Sequence, residues 1–186
     1  MSIKTQHNEG GSFYFCTFTC NRWINLIDET KIYDKVYAWF DRLFSGNNII
    51  AGYVIMPNHC HFIVFYPEQE QTLNKLIGNG KRFLAYEIVE RLKQQRAEKL
   101  LNILEMDVKP SDKKKGKLHE VFRYSFDAKL IYNNKMMTEK LIYIHNNPIS
   151  KKWNLAEDAV SYLHSSAAFY AIGITKHRWL KHYKDI

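Results

Sequence analysis

The stretch Tyr53-Val54-Ile55-Met56-Pro57-Asn58-His59-Cys60-His61-Phe62-Ile63-Val64-Phe65 decides how this chain is read. Two apolar runs flank a Pro-Asn break, the signature of a strand, a short turn and a second strand. Side chains on a strand alternate between faces, so His59 and His61 project from one face and Cys60 and Phe62 from the other. Two imidazoles aimed from a rigid element at a common point are one way to begin a metal site. Alone, such a pair is more often structural or surface histidine, so the rest of the chain has to decide.

Working outward, Ser12 to Cys20 (SFYFCTFTC) is rich in aromatics and Thr and reads as a first strand. From Lys31 to Phe44, apolar residues at Ile32, Val36, Trp39, Phe40 and Leu43 have helical spacing, and Ser45-Gly46-Asn47-Asn48 stops the helix. The hairpin Ile49–Met56 and His59–Tyr66 follows, then a polar link, Pro67 to Gln71. A helical stretch from Thr72 through Leu104 carries an expected interruption at Gly78-Asn79-Gly80. Met106 to Lys117 (MDVKPSDKKKGK) reads as a flexible basic loop. A fourth strand spans Phe126 to Tyr132, and a helix from Thr138 to about Asn147 ends at Pro148. Strand, helix, strand, strand, helix, strand is the order of a ferredoxin-like, split βαβ fold in the α+β class. Its antiparallel sheet would carry helices on one face and leave the other for a site.

Composition sets the bounds. The 186 residues fit a single domain, here taken as 1–186 with a core of about 12–170 and a basic aromatic tail at 171–186. A 46% hydrophobic and 15% aromatic content supplies a core and excludes general disorder. With 27 Lys+Arg against 19 Asp+Glu the formal charge is +8, which points either to an anionic partner, usually nucleic acid, or to lysines that only keep a basic protein dispersed. Cys16, Cys20 and Cys60 show no CxxC spacing, and free buried thiols in a reducing cytoplasm are the simplest reading. No apolar run approaches the ~18 residues of a membrane span, and Met1 to Asn8 lacks a signal core. The expected setting is therefore cytoplasmic, with no membrane partner.

The helix before Pro148 supplies the second half of the argument. Met137, Leu141 and Ile144 form its inward stripe, whereas Tyr143 and Asn147, four residues apart, share a different side. Local physics leaves Tyr143 as an amphipathic boundary residue and Asn147 as a C-cap, bent from helical geometry by the following proline. The sequence nevertheless resembles a known family at two places. Met56-Pro57-Asn58-His59-Cys60-His61-Phe62 resembles the HUH signature, in which U is hydrophobic, and Tyr143-Ile144-His145-Asn146-Asn147-Pro148 resembles its partner motif in single-tyrosine HUH transposases. Tyr162-Leu163-His164-Ser165-Ser166 followed by Tyr170 is similar to the ending found in members associated with repetitive extragenic palindromes.

That resemblance implies metal-dependent cleavage and rejoining of single-stranded DNA through a 5′-phosphotyrosine. It makes Tyr143 the nucleophile and His59, His61 and Asn147 the ligands of Mg²⁺ or Mn²⁺, with hairpin-containing DNA as partner and a monomer or homodimer as the working form. Cys60 replaces the usual aliphatic middle residue but should point away from the metal. His145 is expected to be structural or DNA-facing. Lys81 and Arg82, expected at a helix start after Gly80, and Arg178 in the tail are candidate DNA contacts. The tail interleaves basic and aromatic residues from Lys176 to Lys184, which suits either nucleic acid or a terminal helix packing Trp179 and Tyr183 on the domain. The alternatives are a replication-initiator or relaxase-type nickase and a catalytically silent nucleic-acid-binding domain.

Overall fold

A computed structural model describes residues 10–67 and 71–186; the N-terminal octapeptide and most of the polar link after Tyr66 lie outside them. The strands β1 (Ser12–Thr19), β2 (Ile49–Ile55), β3 (His59–Tyr66) and β4 (Asp127–Ile131) form one antiparallel sheet in the order β2-β3-β1-β4. Helix α2 (Tyr33–Ser45) links β1 to β2, preceded by the short α1 (Leu26–Thr30). Between β3 and β4 run α3 (Leu73–Gln94), α4 (Glu98–Met106) and the single turn α5 (Pro110–Lys113). After β4 come α6 (Asn134–Asn146) and α7 (Ala167–Ile172). This is the expected ferredoxin-like sheet.

Strand alternation divides two cores. Tyr14, Cys16 and Phe18 of β1, Cys60, Phe62 and Val64 of β3, and Tyr53 and Ile55 of β2 face α2 and α3, where they meet Trp39, Phe40, Leu84 and Ile88. The three cysteines are free and buried on this side. The opposite faces of the same strands give Phe15, Val54 and Ile63, which pack on Met137, Leu141 and Ile144 of α6. Helices therefore cover both faces, not one: α6 lies across the β2 side of the second face and leaves the β1–β3 side open. Gly52 permits that approach, because a Cβ there would sit 2.6 Å from Cδ2 of Leu141.

Four expectations about the helices change. The break at Gly78–Gly80 is absent, and α3 runs through it. Gly80 is there for packing: a Cβ would lie 2.2 Å from the Trp39 ring. The chain breaks instead at Arg96, whose φ is 55°, and Lys81 and Arg82 consequently sit inside a helix, not at its start. The 106–117 loop contains α5, with Pro110 at its first turn where a missing N–H costs nothing. Helix α6 begins at Asn134 rather than Thr138, because the Asn133 side chain accepts a hydrogen bond from the Met136 N–H at 2.8 Å. The tail forms no terminal α-helix. It runs beside β2, with Ile50 N–H donating to Trp179 O at 3.0 Å and Lys181 N–H to Ile50 O at 3.1 Å, and buries Trp179 against Phe40 and Tyr53.

Candidate active site

The site begins with the turn between β2 and β3. Pro57 O accepts from Ile27 N–H (3.0 Å) and Asp28 N–H (3.2 Å), and Asn58 O accepts from Cys20 N–H (2.7 Å), so the turn is held by β1's end and by α1. The Asn58 side chain is buried and donates through Nδ2 to Trp23 O (2.8 Å) and Asn25 Oδ1 (3.1 Å). With its amide so oriented, its Oδ1 can only accept, and it lies 2.8 Å from Nδ1 of His59. The proton of neutral His59 is therefore on Nδ1, and Nε2 carries a free lone pair. The Nδ1 of His61 sits 2.7 Å from Thr17 Oγ1 on β1, a hydroxyl that can donate or accept. No local pattern marks Thr17, or Asn58 as more than a turn residue.

Both imidazoles are buried at the base of a cavity of about 430 Å³. Burial pushes the His59 pKa down to about 4, helped by the Lys152 charge. Burial, then His59 and then Lys140, push His61 down to about 3. Both rings are thus neutral near pH 7, the state that ligates cations.

Helix α6 brings the remaining groups. Tyr143 is half-exposed, and its phenol oxygen lies 3.4 Å from His61 Nε2; Phe15 packs edge-on to the tyrosine ring and stacks on His61. Asn147 lines the same cavity. It keeps helical angles (φ −56°, ψ −47°) despite preceding Pro148, contrary to the expected bend. That retained turn is what leaves it on the side of Tyr143. His145 points away and meets Ser166 Oγ at 2.9 Å through Nε2. The cavity thus offers two imidazole lone pairs and the Asn147 amide. Among the described residues no cluster of three His, Cys, Asp or Glu side chains could hold a metal, so the amide would have to serve as third protein donor. Oxygen and neutral nitrogen donors suit a divalent cation, and the residues present fit one.

Two further residues belong to the cavity that sequence reasoning missed. Trp23 and Trp153 flank His59 at ring centroid distances of 5.9 and 5.6 Å, and Lys152 Nζ sits 5.1 and 5.2 Å from their ring centres. The available signal was weak: isolated tryptophans beside basic residues in loops. The candidate DNA contacts are not gathered here. Lys81 donates to the carbonyls of Arg123 (2.8 Å), Tyr124 (3.4 Å) and Ser125 (3.3 Å). Arg82 reaches Asn79 Oδ1 and lines a separate groove. Arg178 forms a two-bond ion pair with Asp41 at 2.9 and 3.1 Å.

Fold and site together define an α+β domain that presents a phenol beside two neutral imidazoles in one open cavity. No family model matches the chain, and no curated protein matches it. Among solved structures it is similar to that of the REP-associated tyrosine transposase bound to a REP hairpin, with a TM-score of 0.60 and 18% identity over 97% of this chain and 92% of the other. The chain has the fold of that transposase over almost its whole length. Among the described residues no helix is long and apolar enough to cross a membrane.

Proposed function

We propose that this protein is a single-tyrosine HUH transposase of the palindrome-associated kind, which cleaves and rejoins single-stranded DNA beside a hairpin. The observation that carries the reading is the Tyr143 phenol 3.4 Å from His61 Nε2, with His59 and Asn147 on the same cavity. The solved transposase of the same fold holds a hairpin, which supports a hairpin-containing partner here. Three buried free thiols are in keeping with a reducing cytoplasm.

In this reading His59 Nε2, His61 Nε2 and Asn147 Oδ1 would hold Mg²⁺ or Mn²⁺. The bound cation would polarise the scissile phosphate and offset charge gained as phosphorus is attacked. Asn58 keeps the His59 ring in the ligating tautomer, Thr17 Oγ1 bonds Nδ1 of His61, and burial keeps both rings unprotonated. Tyr143 Oη attacks phosphorus in line. The P–O3′ bond breaks, the 3′ oxygen takes a proton, and a 5′-phosphotyrosine forms. The phenol proton leaves to the solvent that Tyr143 faces. Attack by a 3′-hydroxyl on the phosphotyrosine reverses the sequence and reseals a strand without ATP, since the bond broken and the bond made are equivalent esters. Trp23 and Trp153 offer stacking surfaces to unpaired bases at the cavity mouth. His61 and Tyr143 come from one chain, which supports a monomer as the minimal active unit.

The test is a covalent adduct. Incubated with Mn²⁺ and labelled single-stranded oligonucleotides that carry hairpins, the protein should form a denaturant-stable protein–DNA species, and Tyr143→Phe should not. An adduct that survives Tyr143→Phe would overturn the assignment of the nucleophile.

A further inference from the structure

The Tyr143 cavity is not the largest in the molecule. Between α3 and the segment 115–129 runs an open groove of about 990 Å³. Its α3 wall is one helical stripe, in which Arg82, Tyr86, Val89 and Lys93 recur at spacings of three and four. Ile77, Leu84 and Ile88 form the stripe that enters the core. Tyr86 is 70% exposed, and Tyr124 on the facing wall is 65% exposed. Lys81 spans the two walls as a strut through its three carbonyl bonds.

The charge of the groove is one-sided. Arg82, Lys93, Lys115, Arg123 and Lys129 are exposed along it, and none of them makes an ion pair among the described residues. Of the acidic lining residues, Glu120 is buried and neutralised by Lys117 at 2.7 Å, which leaves Asp127. Position adds a further constraint. Asp127, which lines the groove, is the β-ladder partner of Thr17, which lines the Tyr143 cavity and holds His61. At β4 one residue of each lining therefore lies on adjacent strands, whose backbones are ~4.8 Å apart.

We propose that this groove is the track along which single-stranded DNA runs to the Tyr143 cavity, its phosphates neutralised by Arg82, Lys93, Arg123 and Lys129 and its bases stacked on Tyr86 and Tyr124. The inference rests on the single-stranded DNA reading of the Tyr143 site. Exposed tyrosine faces select unpaired bases, because a duplex buries its base faces, and an acidic polypeptide would use the cations but not the rings.

The experiment measures affinity by fluorescence anisotropy for oligonucleotides of roughly 4 to 16 nucleotides, with a salt titration at each length. Wild-type affinity should rise with length. The triple variant Lys93→Glu, Arg123→Glu, Lys129→Glu should lose that rise by tenfold or more, and its log–log salt slope should flatten by about 0.7 per lost phosphate contact. Tyr86→Ala should weaken the long oligonucleotide without altering the salt slope. A triple variant that keeps the wild-type length dependence would overturn the track, as would an equal loss from Lys75→Glu, Lys99→Glu, Lys135→Glu, exposed lysines outside the groove. Tighter binding of polyglutamate than of DNA, unaffected by Tyr86→Ala, would replace it with a protein-docking surface. The adduct assay is scored separately. No adduct in wild type, with the length dependence intact and lost in the triple variant, sinks the nucleophile and keeps the track; an adduct without length dependence does the reverse.

Discussion

The two faces of the sheet are built from the same strands and do opposite work. On one, Cys60 and Phe62 of β3 are sealed under α2 and α3, where Phe62 meets Phe18, Trp39 and Phe40 at centroid distances of 6.4, 5.4 and 5.5 Å. On the other, His59 and His61 occupy the intervening positions and look into an open cavity, because α6 covers only the β2 side. A period of two lets adjacent residues serve stability and chemistry without sharing an environment. The difference lies in the lid. Helices α2 and α3 close their face with a continuous apolar layer, whereas α6 approaches over Gly52 and presents Tyr143 and Asn147 at its open flank.

If the faces are separable in this way, changes on each should have separate readouts. The largest effect should come from Tyr143→Phe, which should lower adduct formation by roughly a thousandfold or more. It should leave the urea midpoint nearly unchanged, within about 0.5 kcal/mol, because the ring is half-exposed. Phe62→Ala should do the converse and cost about 3–5 kcal/mol of stability. Adduct yield per folded molecule should then stay close to wild type; a collapse of activity in the folded fraction would show that the faces are coupled. Next, Asn58→Ala should weaken Mn²⁺ dependence by about 10–100-fold, since the tautomer lock is lost while every ligand remains. A Mn²⁺ titration of adduct formation checks this, and unchanged dependence would remove Asn58 from the site.

Acid sensitivity gives a further readout of the histidine face. Burial lowers the His59 and His61 pKa values to about 4 and about 3, below the ordinary value near 6.5. Between those limits the unfolded chain binds more protons than the folded one, so stability is full above about pH 6.5 and falls as pH drops towards 4. At pH 5 the loss should approach about 2 kcal/mol per histidine in metal-free protein. Urea midpoints at pH 7.5 and 5 measure it. His59→Gln should flatten the dependence, whereas a substitution on the closed face should not.

Much of this was legible before the structure. The alternation at His59-Cys60-His61 reports directly on two faces, and the i, i+4 relation of Tyr143 and Asn147 reports on one helical side. Both are local periodicities, and both survive folding. What failed were readings that took a residue's usual role for its role here. Gly78 and Gly80 looked like a helix break, yet α3 continues because Gly80 fits against Trp39 from a different helix. Pro148 was expected to bend Asn147, but the turn that follows, with Ser150 Oγ donating to Asn147 O at 2.8 Å, holds it helical. The tail's basic and aromatic residues served two readings equally; Trp179 is drawn into the core by Phe40 and Tyr53, and Arg178 is taken by Asp41.

By itself, then, the sequence determined the sheet's alternation and the inward stripe of α6, because each depends on spacing along a few residues, whereas the four polar groups of the candidate site were singled out by the resemblance of their motifs. Only the tertiary structure decided that α6 lies on the histidine face, that Asn58 fixes the His59 tautomer while Thr17 bonds His61, and that Trp23 and Trp153 wall the cavity. It also decided that Asp127 of the basic groove pairs on the ladder with Thr17 of the site. Those features join residues up to 130 positions apart, such as Trp23 and Trp153, and no local pattern encodes a meeting that packing alone brings about.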